Sequence, residues 1–195
     1  MKRASRLLLL PARFFKSFAF CERAVAAIEF ALIAPAMLIL FCGGIEIALF
    51  LHASYQTAQA ASTVADVITR YDTLNSDNID ALLSVASQVV GDTDFEEKGE
   101  IILSSISRSS GGTATIAWQC TGGGQYDGES QIGKTGKAAT LPTSLTLASD
   151  DNVIIAEVYF DYASVFGWLP SSATPIYKTS IFRPRLGSLT SAPGC

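Results

Sequence analysis

Residues 23–51 read R-A-V-A-A-I-E-F-A-L-I-A-P-A-M-L-I-L-F-C-G-G-I-E-I-A-L-F-L. No polar stripe interrupts Phe30 to Ile45, whereas the core helix of a water-soluble domain shows one at helical spacing. Residues 30–51 supply 22 positions with Glu46 as the only charge. At about 1.5 Å per residue they span roughly 33 Å, enough to cross the hydrocarbon of a bilayer. Pro35 lies inside this span, where lipid-buried helices tolerate a kink. Gly43-Gly44 forms a flat notch that a second helix can approach, although it is not a full G-x-x-x-G.

Working outward, the flanks differ in charge. Residues 1–23 hold six Lys/Arg against Glu22, a balance of +5, and residues 24–195 hold 8 basic and 17 acidic residues, a balance of −9. Basic residues beside a span keep that end cytoplasmic, so the expected orientation is N-in, C-out, in the inner membrane. An acidic outer part argues against nucleic-acid binding, which needs a basic surface. The leader does not read as a removable secretory signal, because Leu7–Leu10 is too short an apolar core and is followed by Pro11, Arg13 and Lys16. Neither Cys21 nor Cys42 follows a small residue, as a lipoprotein signal requires. Leu7, Leu8, Leu10, Phe14, Phe15 and Phe18 share a helical face opposite Lys2, Arg6, Arg13 and Lys16. That pattern suits a segment lying on the inner leaflet; an unstructured basic leader is the alternative.

Two carboxylates bracket the span. An ionised carboxylate in hydrocarbon needs a partner or reaches an interface. Glu46 stands near the outer headgroups, and one reading is an interfacial residue that reaches out to them. Glu29 stands at the cytoplasmic edge, where by itself it reads as a boundary residue. The string Arg23-Ala24-Val25-Ala26-Ala27-Ile28-Glu29-Phe30-Ala31-Leu32 resembles the start of the hydrophobic helix in type IV pilin-like proteins. More closely, it resembles the TadE-like family of the tight-adherence (Flp pilus) assembly system. In that family a Glu followed by an aromatic residue and Ala-Leu comes after small or apolar residues, and a second Glu near the far end matches Gly44-Ile45-Glu46. The resemblance covers about residues 23–70. Trp118, Cys120, the V-Y-F-D-Y run and the late R-P-R also look like the tail of longer members.

The resemblance implies cleavage by a membrane-embedded prepilin peptidase between Ala24 and Val25, leaving Glu29 fifth in the mature chain. The new ammonium on Val25 can then be neutralised by the Glu29 carboxylate of a neighbouring subunit, setting axial register in an apolar bundle. Cleaved members usually carry Gly before the cut, and here Ala24 stands instead. The permanently anchored, uncleaved protein is therefore the alternative. The implied partners are the peptidase, other pilus-assembly or pseudopilin subunits, and the lipid bilayer. Glu29, Phe30, Pro35, Gly43, Gly44 and Glu46 are the expected helix-assembly residues.

Beyond the span, an Ala-rich stretch continues the helical rhythm through Ala53, Gln56, Ala60, Val64, Val67 and Ile68, predicting one rod over 24–71. Asp77-Asn78-Ile79-Asp80 reads as a capping box opening a second helix, with Ile79, Leu82, Leu83, Ala86, Val89 and Val90 as its apolar face and Gly91 as its stop. The period then becomes two. Residues 100–107 and 113–120 flank Ser109-Ser110-Gly111-Gly112 as a hairpin. Residues 120–151 are loop-like and Gly-punctuated. Asn152–Ala163 predicts a strand with Ile154, Ala156, Val158, Phe160 and Tyr162 inside and Glu157 and Asp161 outside. Residues 176–183 predict a fourth strand. The expected organisation is a leader (1–23), a transmembrane and continuing helix (24–71), and an extracytoplasmic α+β domain (72–195): a spine helix on a small antiparallel sheet, type IV pilin-like.

Cys120 and Cys195 both fall outside the membrane, in an oxidising space, and are expected to pair; Cys21 and Cys42 are expected to be unpaired. Phe95 and Trp168 are expected in the core. The single histidine, His52, lacks Cys or carboxylate at metal-ligand spacing. No nucleophile elbow, P-loop or dinucleotide fingerprint occurs, and the acidic pairs around Asp94 and Asp150 lack Ca²⁺-loop spacing. No cofactor, metal or enzymatic chemistry is expected. The competing class is a membrane-tethered, unprocessed binding or sensory module that captures a ligand with the Gly-rich 121–142 loop.

Overall fold

A computed structural model describes residues 22–90, 94–143, 145–167, 175–191 and 194. The basic leader, Cys21, Gly91, Trp168 and Cys195 lie outside the described residues. The apolar run and the Ala-rich stretch behind it form a helix, α1 (Glu22–Ile68), with Pro35 inside it. It ends three residues before the expected position because the N–H groups of Arg70 and Tyr71 bond to the carbonyls of Val67 and Ile68 (3.1 and 3.3 Å), tightening the last turn. The chain divides into two compact units, one up to Ile47 and one from Ala48 onward.

In the second unit, the tail of α1 is amphipathic in the ordinary sense. Ala53, Thr57, Ala60, Ala61, Val64, Ala65 and Ile68 are buried on one face, at the i, i+3, i+4 spacing that puts side chains on a common stripe. Thr57 is buried without penalty, since its hydroxyl donates to the Ala53 carbonyl at 2.8 Å. The second helix, α2 (Ser76–Val90), is capped differently from expectation. Asn75, not the Asp77–Asp80 stretch, caps it: its side-chain oxygen accepts the Asn78 N–H at 2.8 Å, satisfying one otherwise orphaned donor. Ile79, Leu82, Leu83 and Val90 are buried as predicted and Val89 is half-buried. A one-turn helix that the periodicity did not announce, α3 (Phe95–Lys98), seats Phe95 in the core, stacked against Phe160 at 5.8 Å.

Among the described residues four strands follow: β1 (Gly99–Arg108), β2 (Ala114–Gly122), β3 (Asp151–Phe160) and β4 (Ile176–Phe182). They form one antiparallel sheet in the order β2-β1-β3-β4, and the fold is α+β. The hairpin turn closes with Gly112 N–H donating to the Ser109 carbonyl at 3.0 Å. Ile101, Leu103, Trp118, Cys120, Ile154, Ala156, Val158 and Phe160 face α1 and α2 and form the main core.

The other face departs from expectation. Glu157, read as solvent-facing, is fully buried. The 123–150 connection folds over that face and builds a second core of Ile106, Ile116, Ile132, Leu147, Val153 and Ile155. Residues 137–139 of this connection bond along the edge strand, with Ile116 N–H to Lys137 O (3.1 Å) and Ala139 N–H to Ala114 O (2.9 Å), which covers an edge that would otherwise invite pairing. Glu157 is paired for its burial. It accepts from Gln131 N–H (2.9 Å), from the Tyr177 hydroxyl (2.8 Å) and, through a short bond, from the Ser130 hydroxyl. Within the 121–142 loop Gly123 and Gly124 are closely packed, whereas Gly136 faces open space. An added Cβ at Gly124 meets the Gly99 carbonyl oxygen at 2.1 Å, and Gly123 has a φ of +81°.

Candidate functional site

The feature that the fold leaves unsatisfied is the first half of α1. A window of 18 residues there has a mean hydropathy of 2.4, and none of it is buried. Val25, Ile28, Phe30, Leu32, Leu38, Leu40 and Phe41 are exposed. Water does not tolerate so continuous an apolar surface, so lipid or other helices must cover it. Among the described residues α1 is the one helix long and apolar enough to cross a membrane, which suits a single-pass anchor.

The expected assembly residues occupy distinct settings on this helix. The Ala24–Val25 bond lies in helical backbone, and Val25 is exposed. Glu29 and Phe30 are exposed one turn further on, and Pro35 is exposed within the helix. Gly44 offers bare backbone, with nothing within 4 Å of the position a Cβ would take. Gly43 beside it is half-buried. Glu46 is only 2 % exposed, which does not suit a residue reaching out to headgroups. Glu29 and Glu46 lie 17 positions apart in the sequence, roughly 26 Å of helix rise, so one helix does not bring them together. Cys42 is free and half-buried.

That helix carries the family signal. Residues 24–66 match the TadE-like protein family. The TadE-like segment runs from the second residue after Glu22 to two residues short of the end of α1, and includes none of the sheet. Comparison with curated proteins gives no match. Comparison with solved structures gives none either. The family match thus lies within α1 and does not reach α2 or the sheet.

In the α+β unit several titratable side chains are bonded within the fold. Glu100 accepts the Gly128 N–H at 2.6 Å; burial, with Asp127 nearby, holds its carboxyl above the usual range despite that bond. Burial pushes the Tyr177 phenol far above its ordinary value, and its bond to Glu157 adds to the shift. Asp94 pairs with Lys98 at 2.6 Å and Asp151 with Arg183 at 2.8 Å, while Asp150 accepts the Ser110 N–H at 3.1 Å. Among the described residues no group of three His, Cys, Asp or Glu could hold a metal ion. His52 is exposed on α1. The segment after β4 ties back to α1: Arg185 N–H bonds to the Thr69 carbonyl at 2.9 Å and its guanidinium pairs with Asp66. The Leu189 carbonyl there accepts from Trp118 Nε1 (2.8 Å) and the Ser105 hydroxyl (2.6 Å). The R-P-R string was the only sequence sign of this strap. Nothing marked Glu157 as buried.

Proposed function

We propose that the protein is a non-enzymatic component of the tight-adherence pilus assembly apparatus, a minor pseudopilin that acts by assembly. The observation that carries this reading is the coincidence of the TadE-like match with an apolar helix whose surface is bare. The protein sits in the inner membrane with its leader cytoplasmic and its α+β domain outside. A prepilin peptidase cuts between Ala24 and Val25, and the ammonium of Val25 then pairs with Glu29 of a neighbouring subunit. In lipid, apolar burial discriminates poorly between helices, so partner choice falls to the exposed polar and small residues, Glu29 and the Gly43-Gly44 notch, rather than to the buried Glu46. Phe30 and Pro35 shape the same surface.

We also propose a Cys120–Cys195 disulfide. Cys120 is buried on β2, and Gly194 lines the same small cavity, of about 170 Å³, as Cys120 and Ser76. The bridge fastens the end of the chain to the sheet.

Mass spectrometry of membrane-extracted protein tests the first reading. A mature N-terminus at Val25 is expected in cells with an active prepilin peptidase, and an intact leader there returns the protein to the permanently anchored alternative. Glu29→Gln should leave membrane insertion intact and lower co-purification of partner subunits at least fivefold. Unchanged assembly in that variant removes Glu29 from the mechanism.

A further inference from the structure

Among the described residues of the unit from Ala48 onward, eight large apolar or aromatic side chains are exposed: Leu49, Phe50, Leu51, Tyr55, Val85, Val165, Phe166 and Leu186. Five of them belong to two short segments, 49–51 and 165–166, and the fold brings these segments together. Beyond β3, the Asp161 N–H still bonds to the Lys98 carbonyl at 2.9 Å. Tyr162 then meets Phe50 edge-on, with ring centroids 5.6 Å apart at 77°. The chain continues along α1 so that Val165 shares one cavity, of about 210 Å³, with Leu49, His52 and Tyr162. Val165 is 65 % and Phe166 41 % exposed. Single exposed apolar residues need no explanation, but a cluster at one edge does.

The occupant follows from where this edge lies along the chain. The assignment of that occupant rests on α1 being a membrane anchor. Counting from Phe30, about 20 residues at ~1.5 Å each cross a hydrocarbon core of ~30 Å, which brings the water boundary to the level of Phe50. Leu49 follows the end of the apolar unit by two residues, so the chain itself keeps the cluster at that boundary. Its chemistry is that of the boundary too. Tyr162 is an aromatic type found at headgroup level, Phe166 suits the acyl side of that boundary, and the Asp94–Lys98 pair (2.6 Å) on the cavity's rim is a polar edge that can stay in water. We propose that Val165 and Phe166 insert into the bilayer leaflet nearest the α+β domain, giving that domain a second apolar foothold beside α1.

Photo-crosslinking tests it on the full chain in vesicles of phosphatidylethanolamine and phosphatidylglycerol. Benzoylphenylalanine replaces Leu38, Val85, Val165 or Phe166, one at a time. Lipid adducts are expected at 38, 165 and 166, at least fivefold above those at 85, and Val165→Asp should reduce the adduct at 166 more than threefold. Adducts at 38 without adducts at 165 and 166 overturn the foothold and leave the anchor standing. Protein–protein adducts in place of lipid at 165 and 166 also overturn it, in favour of a subunit contact. Absence of adducts at 38 overturns the anchor and the foothold together.

Discussion

Glu100 and Glu157 stand on adjacent strands and face the same covering loop, yet neither their type nor their place in an alternating pattern marks them as buried. Alternation separates two faces of a strand; it does not say whether the second face meets water. The loop decides that, and it supplies the donors that make carboxylate burial tolerable. Glu100 gives a pH signature. Its folded value is raised above 4.5, so the folded state holds its proton more tightly than the unfolded chain does. The stability this lends is present below the unfolded value and is lost as pH rises through the higher folded value. Glu100→Gln removes that fall and keeps an acceptor for the Gly128 N–H. Urea melts from about pH 4 to 7 should show the variant gaining on the wild type as pH rises, by on the order of 1 kcal/mol, the scale set by about 1.4 kcal/mol for each pH unit between the folded and unfolded values. A gain in the opposite direction rejects burial as the governing cause.

At the scale of elements, α1 was the most legible. Its length, apolarity and buried stripe from Ala53 to Ile68 all follow from periodicity, because a helix face is set by local geometry. Its end and the cap of α2 were less legible. The end rests on a tightened turn, and Asn75 outcompeted the Asp77 stretch by having its oxygen within reach of the right N–H. The α3 turn is too short to show a period at all. The notch makes a prediction that belongs to this level. Gly44 faces open space, so Gly44→Leu should leave insertion and thermal unfolding unchanged. If the notch receives a neighbouring helix, the added bulk lowers subunit co-purification by about tenfold, roughly 1.4 kcal/mol. Unaltered co-purification assigns that face to lipid.

For the whole molecule, the proposed Cys120–Cys195 bridge is the sharpest test. It closes a loop of 76 residues, worth about 4 kcal/mol in the chain-entropy account. Cys120→Ser should lower the Tm of the α+β domain by roughly 10 °C, and reductant should lower the wild type equally while leaving the variant unmoved. A wild-type Tm indifferent to reductant removes the bridge. The strap formed by Arg185 and Leu189 belongs to this scale as well, since it joins α1, β1 and β2 through contacts between residues distant in sequence. By itself the sequence determined the anchor, the spine helix, the four strands and the motif at Glu29, because each is written in near-neighbour spacing and in the cost of exposing apolar surface. Only the tertiary structure decided that a glycine-punctuated connection closes the second sheet face, that Glu157 lies beneath it, and that Val165 comes to rest beside Leu49. Those outcomes depend on which distant surfaces meet, and the spacing of neighbours along a chain carries no record of that.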